Sequence, residues 1–142
     1  MRILGLDPGE KRIGLAITDP LCITAQGLAV INYERPEDAL EQVAAICREY
    51  AVEKIVVGNP LNMNGTIGPA SEHAARFADS LKAMLGLPVV MIDERLTSVS
   101  AGRTLILGGV SRKKRRKVQD KLAAALILEQ YLALNNAQNR PR

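Results

Sequence analysis

Three acids stand where acids are costly. Asp7 closes the apolar run ILGL, the pair Asp93 and Glu94 closes PVVMI, and Asp120 opens into KLAAALIL. A carboxylate beside a buried strand has little packing value and a high desolvation cost unless it is paired or holds a cation. Three that converge repel one another until a cation neutralises them. Oxygen-only ligands suit hard ions, so the expected cofactor is Mg²⁺ or Mn²⁺. Two such ions about 3.5–4 Å apart activate water and stabilise the leaving oxygen in phosphodiester hydrolysis. The single histidine, His73, falls mid-helix as an exposed residue, and no Cys/His set has zinc spacing, so a metal site here is a carboxylate site. Each acid alone has an ordinary reading. Asp7 opens a DPG turn, DER supplies a helix-start charge paired with Arg95, and Asp120 bridges to Lys117 or Lys121. Their joint placement against apolar segments is what points to a site, with Asp93 and Glu94 both open as the second acid.

Cations gather near these acids. Arg112, Lys113, Lys114, Arg115, Arg116 and Lys117 form an unbroken run just before Asp120. Repulsion at that density is relieved by a polyanion, whose released counterions make binding salt-dependent. Lys11 and Arg12 follow the first turn and Arg95 adjoins Glu94, positions from which they can hold phosphates. Aromatic stacking residues are nearly absent, so the expected contacts go to the backbone and recognise shape rather than base sequence. The loop GNPLNMNG adds Asn62 as a donor and acceptor, with Gly58 and Gly65 allowing close backbone approach to a substrate channel.

The elements that must position these residues alternate simply. Residues 2–6 and 12–18 read as a hairpin across DPGEK, and 22–31 as a third strand of an antiparallel meander. Pro36 starts a helix with the stripe Leu40, Val43, Ala44, Cys47, Tyr50; residues 54–58 form a buried strand. Residues 58–68 are too rich in turn formers for regular structure. Pro69 starts a helix with Ala74, Phe77, Ala78, Leu81, Met84 and Leu85 on one face, ended by Gly86. Residues 88–92 form the last strand. A helix capped by Thr97 or Ser98 runs to about Leu107, Gly108-Gly109 breaks it, and the basic run leads into a final helix. Residues 135–142 read as a frayed tail. This order predicts an α/β fold with one five-stranded mixed sheet, a three-strand antiparallel meander plus two parallel strands, with helices on both faces. In such sheets ligands collect beyond the carboxyl ends of parallel strands, which is where Asp7 and the Asp93–Glu94 pair fall.

The 142 residues fit one domain, 1–142, with a core that must be aliphatic, since there is no Trp and one Phe. The net charge of +4 favours a polyanionic partner. Cys22 and Cys47 are isolated in apolar stretches and read as core thiols of a reducing, cytoplasmic setting. Nothing approaches the roughly 20 apolar residues needed to cross a bilayer.

The segments LGLDPGEKRIGLAITD, GNPLNMNGTIGP, IDERLTS and KKRRKVQDKLAAALILEQYL, in this order, resemble the YqgF family, and the resemblance covers nearly the whole chain. It implies an RNase H-like fold related to Holliday-junction resolvases. It implies catalytic, metal-holding acids Asp7, Glu94 and Asp120, and selects Glu94 over Asp93. The implied activity is nuclease action in 5′-end maturation of pre-16S rRNA during ribosome biogenesis, with the ribosome precursor as partner. Gln119 and Asn59 depart mildly from the family pattern. True resolvases carry a further acid one helical turn past the third, where this chain has Ala123 or Ala124; that difference weighs against junction cleavage. The rival expectations are a Holliday-junction-type DNA resolvase, usually a two-fold dimer, and a non-catalytic nucleic-acid-binding or ribosome-assembly factor with vestigial acids. Monomer and homodimer both remain open.

Overall fold

The computed structural model describes residues 1–93 and 112–139, with side chains described at 1–93 and 114–135. The strands are β1 (Arg2–Pro8), β2 (Arg12–Thr18), β3 (Ala25–Asn32), β4 (Val52–Asn59) and β5 (Val89–Asp93). The helices are α1 (Pro36–Glu49), α2 (Pro69–Leu85) and α3 (Arg112–Asn139). The sheet order is β3-β2-β1-β4-β5. β1 pairs antiparallel with β2, and β2 with β3; β1 and β4, then β4 and β5, pair parallel. This is the expected mixed sheet, and it places the carboxyl ends of β1, β4 and β5 along one edge.

Both faces are covered, as the wholly apolar strands require. Leu4, Leu6, Leu15, Ile55 and Val57 point toward α1 and α2, where Val43, Phe77 and Leu81 meet them. Ile3, Ala16, Val56 and Ile92 point the other way, under Ala124, Ile127 and Leu128 of α3. On that face the sheet is lowered for the helix. Gly5 pairs with Ala16, which pairs with Gly27, giving a row of small residues across three strands. A Cβ on Gly5 would stand 2.4 Å from Leu128 Cγ, and one on Gly14 would stand 2.1 Å from the backbone oxygen of Asp120. α3 therefore packs against the sheet backbone itself.

Several boundaries differ from the sequence reading for local reasons. The third strand begins at Ala25 rather than at 22, because the Asp19 carboxylate accepts hydrogen bonds from the N–H groups of Leu21, Ile23 and Thr24. Cys22 is held there at φ 56°, left-handed and only half-buried rather than core. Met84 is exposed, so the apolar stripe of α2 stops at Leu81 with Leu85 partly buried. α3 continues to Asn139, past the point where fraying was expected. Gly86, at φ 67°, ends α2 as read. The helix expected near 97–107, its Gly108-Gly109 break, Glu94 and Arg95 lie outside the described residues.

Candidate active site at the carboxyl edge of the sheet

Strand alternation decides which acids share a face. In β1, Ile3 and Gly5 face α3, so Asp7 does too, and its partner across the hairpin is Gly14. Gly14 is where the backbone of Asp120 comes down. α3 runs opposite to β1, with Leu128 above Gly5 and Asp120 above Gly14. Asp7 and Asp120 thus line one hollow of about 420 Å³, with Pro8, Gly9, Glu10, Lys11 and Arg12 forming its other walls. Arg12 lies on the same face of β2 as Gly14 and Ala16, and its Nε donates to Asp120 Oδ2 at 2.9 Å. The pair is partly open to solvent, with side chains 37% and 20% exposed.

Asp93 belongs to the other side. Val90 and Ile92 pack under α3, so Asp93 alternates toward α1 and α2, level with Asn59 of β4. Asn59 likewise faces α2, where its Oδ1 accepts a 2.5 Å hydrogen bond from the buried Ser71 hydroxyl. That bond gives a partner to the residue that departs from the family pattern. Among the described residues no three His, Cys, Asp or Glu side chains form a metal-holding group. Two of the three expected acids converge, and the third, Glu94, is not among those residues.

The turn that carries Asp7 is fixed from an unexpected quarter. The Gly9 N–H donates to the Arg12 carbonyl at 2.8 Å, and the Tyr33 N–H donates to the Lys11 carbonyl at 3.0 Å. The Tyr33 hydroxyl, on a residue only 7% exposed, donates to the Gly9 carbonyl at 2.5 Å. Its one proton is spent there, so His73 Nε2, 3.2 Å away, must donate to it. Burial first, and then the negative charge of Glu10, push the Tyr33 hydroxyl above its ordinary value, which keeps it protonated as a donor. His73 is therefore a half-buried hydrogen-bonding residue, not the exposed one expected. Tyr33 carried no motif or spacing that would have marked it; its role appears only when β3 returns beside the turn.

Of the expected substrate contacts, Lys11 and Arg12 wall the hollow. Lys114, Arg116 and Lys117 are exposed on the first described turns of α3, with Arg115 half-buried. They precede Asp120, so they stand past the carboxyl end of β1, within roughly 10 Å of Asp120 along the helix axis. Arg112 and Lys113 belong to α3, but their side chains lie outside the described residues. Asn62 does not line the hollow: its Nδ2 donates to Thr66 Oγ1 at 3.0 Å, closing its own loop.

A family model described as "RuvX: Holliday junction resolvase" matches residues 1–134. A Listeria monocytogenes protein named "Putative pre-16S rRNA nuclease" is 53% identical over 138 residues, spanning 96% of this chain and 100% of its own length. A Geobacillus kaustophilus protein of the same name is 54% identical over 134 residues, spanning 93% and 97%. Among solved structures, RuvC of T. thermophilus in complex with a Holliday junction substrate superposes with a TM-score of 0.62 at 17% identity, covering 100% of this chain and 99% of that one. The fowlpox virus Holliday junction resolvase superposes at 0.55 and 17% identity, covering 94% and 99%. At these identities the superpositions establish the RuvC-like, RNase H fold.

Proposed function

The chain belongs to the family described as RuvX: Holliday junction resolvase, and from that premise we propose that it is a metal-dependent nuclease, one domain acting on structured RNA in 5′-end processing of pre-16S rRNA. The observation that carries the reading is the meeting of Asp7 and Asp120 in one hollow at the carboxyl edge of the sheet. Their donor atoms are all oxygen, which fits Mg²⁺ or Mn²⁺. Glu94 is the proposed third ligand, because Asp93 belongs to the opposite face. Held by these carboxylates, such ions would supply activation of the attacking water and stabilisation of the leaving oxygen. Lys11 and the exposed cations of α3 are the proposed holders of the substrate backbone, and the names of the 53–54% identical relatives support pre-16S rRNA as that substrate. No described helix is long and apolar enough to cross a membrane, in keeping with a proposed cytoplasmic site of action.

A junction-resolving activity is the second reading, favoured by the description of the family and by the fold shared with RuvC. Against it, the positions that the resemblance gives to a further resolvase acid hold alanines here, the half-buried Ala123 and the fully buried Ala124. The two readings separate in one assay. Wild type and Asp7→Asn are incubated with a 5′-extended 16S rRNA precursor and with a four-way DNA junction, each with Mg²⁺ and with Mn²⁺. The expected outcome is metal-dependent cleavage of the precursor by wild type, reduced roughly a hundredfold or more in Asp7→Asn. Preferential cutting of the junction selects the second reading. Equal behaviour of the two proteins on both substrates overturns both and leaves a binding factor.

A further inference from the structure

Arg12 is placed by the same close approach that places Asp120. Alternation along β2 puts Arg12, Gly14 and Ala16 on the α3 face, and Gly14 admits the helix backbone beside it. The guanidinium then reaches the Asp120 carboxylate at 2.9 Å, inside the wall of the hollow that Asp7 also lines. Lys11 is the other cation of that wall, and the ion pair to Asp120 is made by Arg12. The Arg12 guanidinium therefore supplies positive charge directly against one of the two acids of the hollow.

We propose that Arg12 is an exchangeable counter-ion: it holds Asp120 while the hollow lacks a divalent cation, and yields that carboxylate when one enters. This rests on the metal-site reading above and deepens it. Two consequences follow from charge alone. Before exchange, Arg12 competes with the cation for Asp120 and repels it, so the ion pair opposes loading. After exchange, the guanidinium is released at the rim of the hollow with five N–H donors and no acceptor of its own, a match for a phosphate. Cation and nucleic acid then help each other to bind, because each relieves a cost the other meets through Arg12. Such coupling is reciprocal in free energy. Arg12 is a positioning residue in this scheme: it sets when Asp120 is available.

The test measures Mn²⁺ binding by titration calorimetry, with and without a non-cleavable phosphorothioate RNA duplex. The proteins are wild type, Arg12→Gln, Arg12→Lys, Lys11→Gln, Asp7→Asn and Asp120→Asn, each checked by thermal unfolding. Lys11→Gln removes the same charge from the same hollow without touching Asp120. The expected result is a Kd for Mn²⁺ alone that falls roughly three- to tenfold in Arg12→Gln, and much less in Lys11→Gln. Arg12→Lys, which keeps the charge but not the planar fork, falls between. The tightening of Mn²⁺ by the duplex seen in wild type shrinks in Arg12→Gln. If Asp7→Asn and Asp120→Asn weaken Mn²⁺ but Arg12→Gln matches wild type or Lys11→Gln, the counter-ion role is overturned and the metal site stands. If neither acid variant alters Mn²⁺ binding, the metal reading itself fails, and the exchange with it.

Discussion

Tyr33 shows how much of the candidate site rests on residues outside its acids. Its hydroxyl holds the carbonyl of Gly9 and its backbone holds that of Lys11, so the turn after Asp7 is pinned at two points. Replacing it with Phe keeps the ring and removes one bond. Tyr33→Phe is expected to lose about 1 kcal/mol of stability in urea unfolding. Its kcat on precursor RNA should fall by more than its KM changes, because Asp7 is less fixed while the cationic surface is intact. His73→Leu, which leaves the Gly9 bond in place, should do less; equal effects from both variants would show that the turn is not what Tyr33 governs. Cys47 gives a different residue-scale prediction. It is 5% exposed on the buried face of α1, and burial pushes its thiol from 9.0 to about 11, with the nearby Arg48 charge partly opposing. The native state keeps a proton that the unfolded chain gives up. Its stabilising share is therefore complete below about pH 9 and lost as pH rises toward about 11. The loss is roughly 2–3 kcal/mol. The gap between wild type and Cys47→Ala in urea midpoints should narrow across that window; a constant gap would contradict the burial.

α3 and the strands beneath it act as one device for placing Asp120. At Gly14 an added Cβ would meet the helix backbone 2.1 Å away, and backbone cannot turn aside as a side-chain tip can. Gly14→Ala is therefore expected to push α3 outward, costing roughly 1–3 kcal/mol in thermal or urea unfolding. It should weaken Mn²⁺ binding by more than that stability loss implies, since Asp7 and Arg12 stay behind on the sheet. Gly27→Ala, which meets the Cβ of Lys121 at 2.8 Å, is the comparison: it crowds the helix one residue further on, at the outer strand. Similar Mn²⁺ loss in both would mean that helix position in general, and not the approach at Gly14, controls the site. This device also marks where the sequence stops being legible. Period-two apolar runs and Pro or Gly punctuation identified β2 and α2 closely, because those signals are local. β3 was read too early because the carboxylate of Asp19 captures three following N–H groups, and side-chain capture overrides an apolar run. Asp7 and Asp120 were legible as costly acids. That Arg12 would pair with one of them was not, because the pairing depends on Gly14, and a glycine inside a strand announces close approach without saying what approaches.

At the scale of the molecule, the charges of the described residues are sorted around the hollow. On one flank the exposed Lys114, Arg116 and Lys117 rise from the first described turns of α3, whose opening turn carries no acid. On the other, Glu34, Asp38 and Glu41 line a hollow of about 820 Å³ between β3 and α1, which meets the first hollow at Lys11. A nucleic-acid backbone crossing the Asp7 edge gains from the first flank and is repelled by the second, so its path should leave the site toward α3. Counterion release makes this measurable, because every phosphate left without its cation takes about 0.7–0.9 from the slope of log affinity against log salt. Neutralising Lys114, Arg116 and Lys117 together to Ala should lower that slope by roughly two to three and weaken binding at low salt. Neutralising Glu34, Asp38 and Glu41 to their amides should leave the slope within about one of wild type and, if anything, tighten binding. Binding of an RNA duplex in Ca²⁺, across a salt series for the three proteins, reads both effects without cleavage. Equal slopes for wild type and the α3 variant would place the backbone elsewhere on the molecule. A steep loss in the acidic-flank variant would reverse the proposed path.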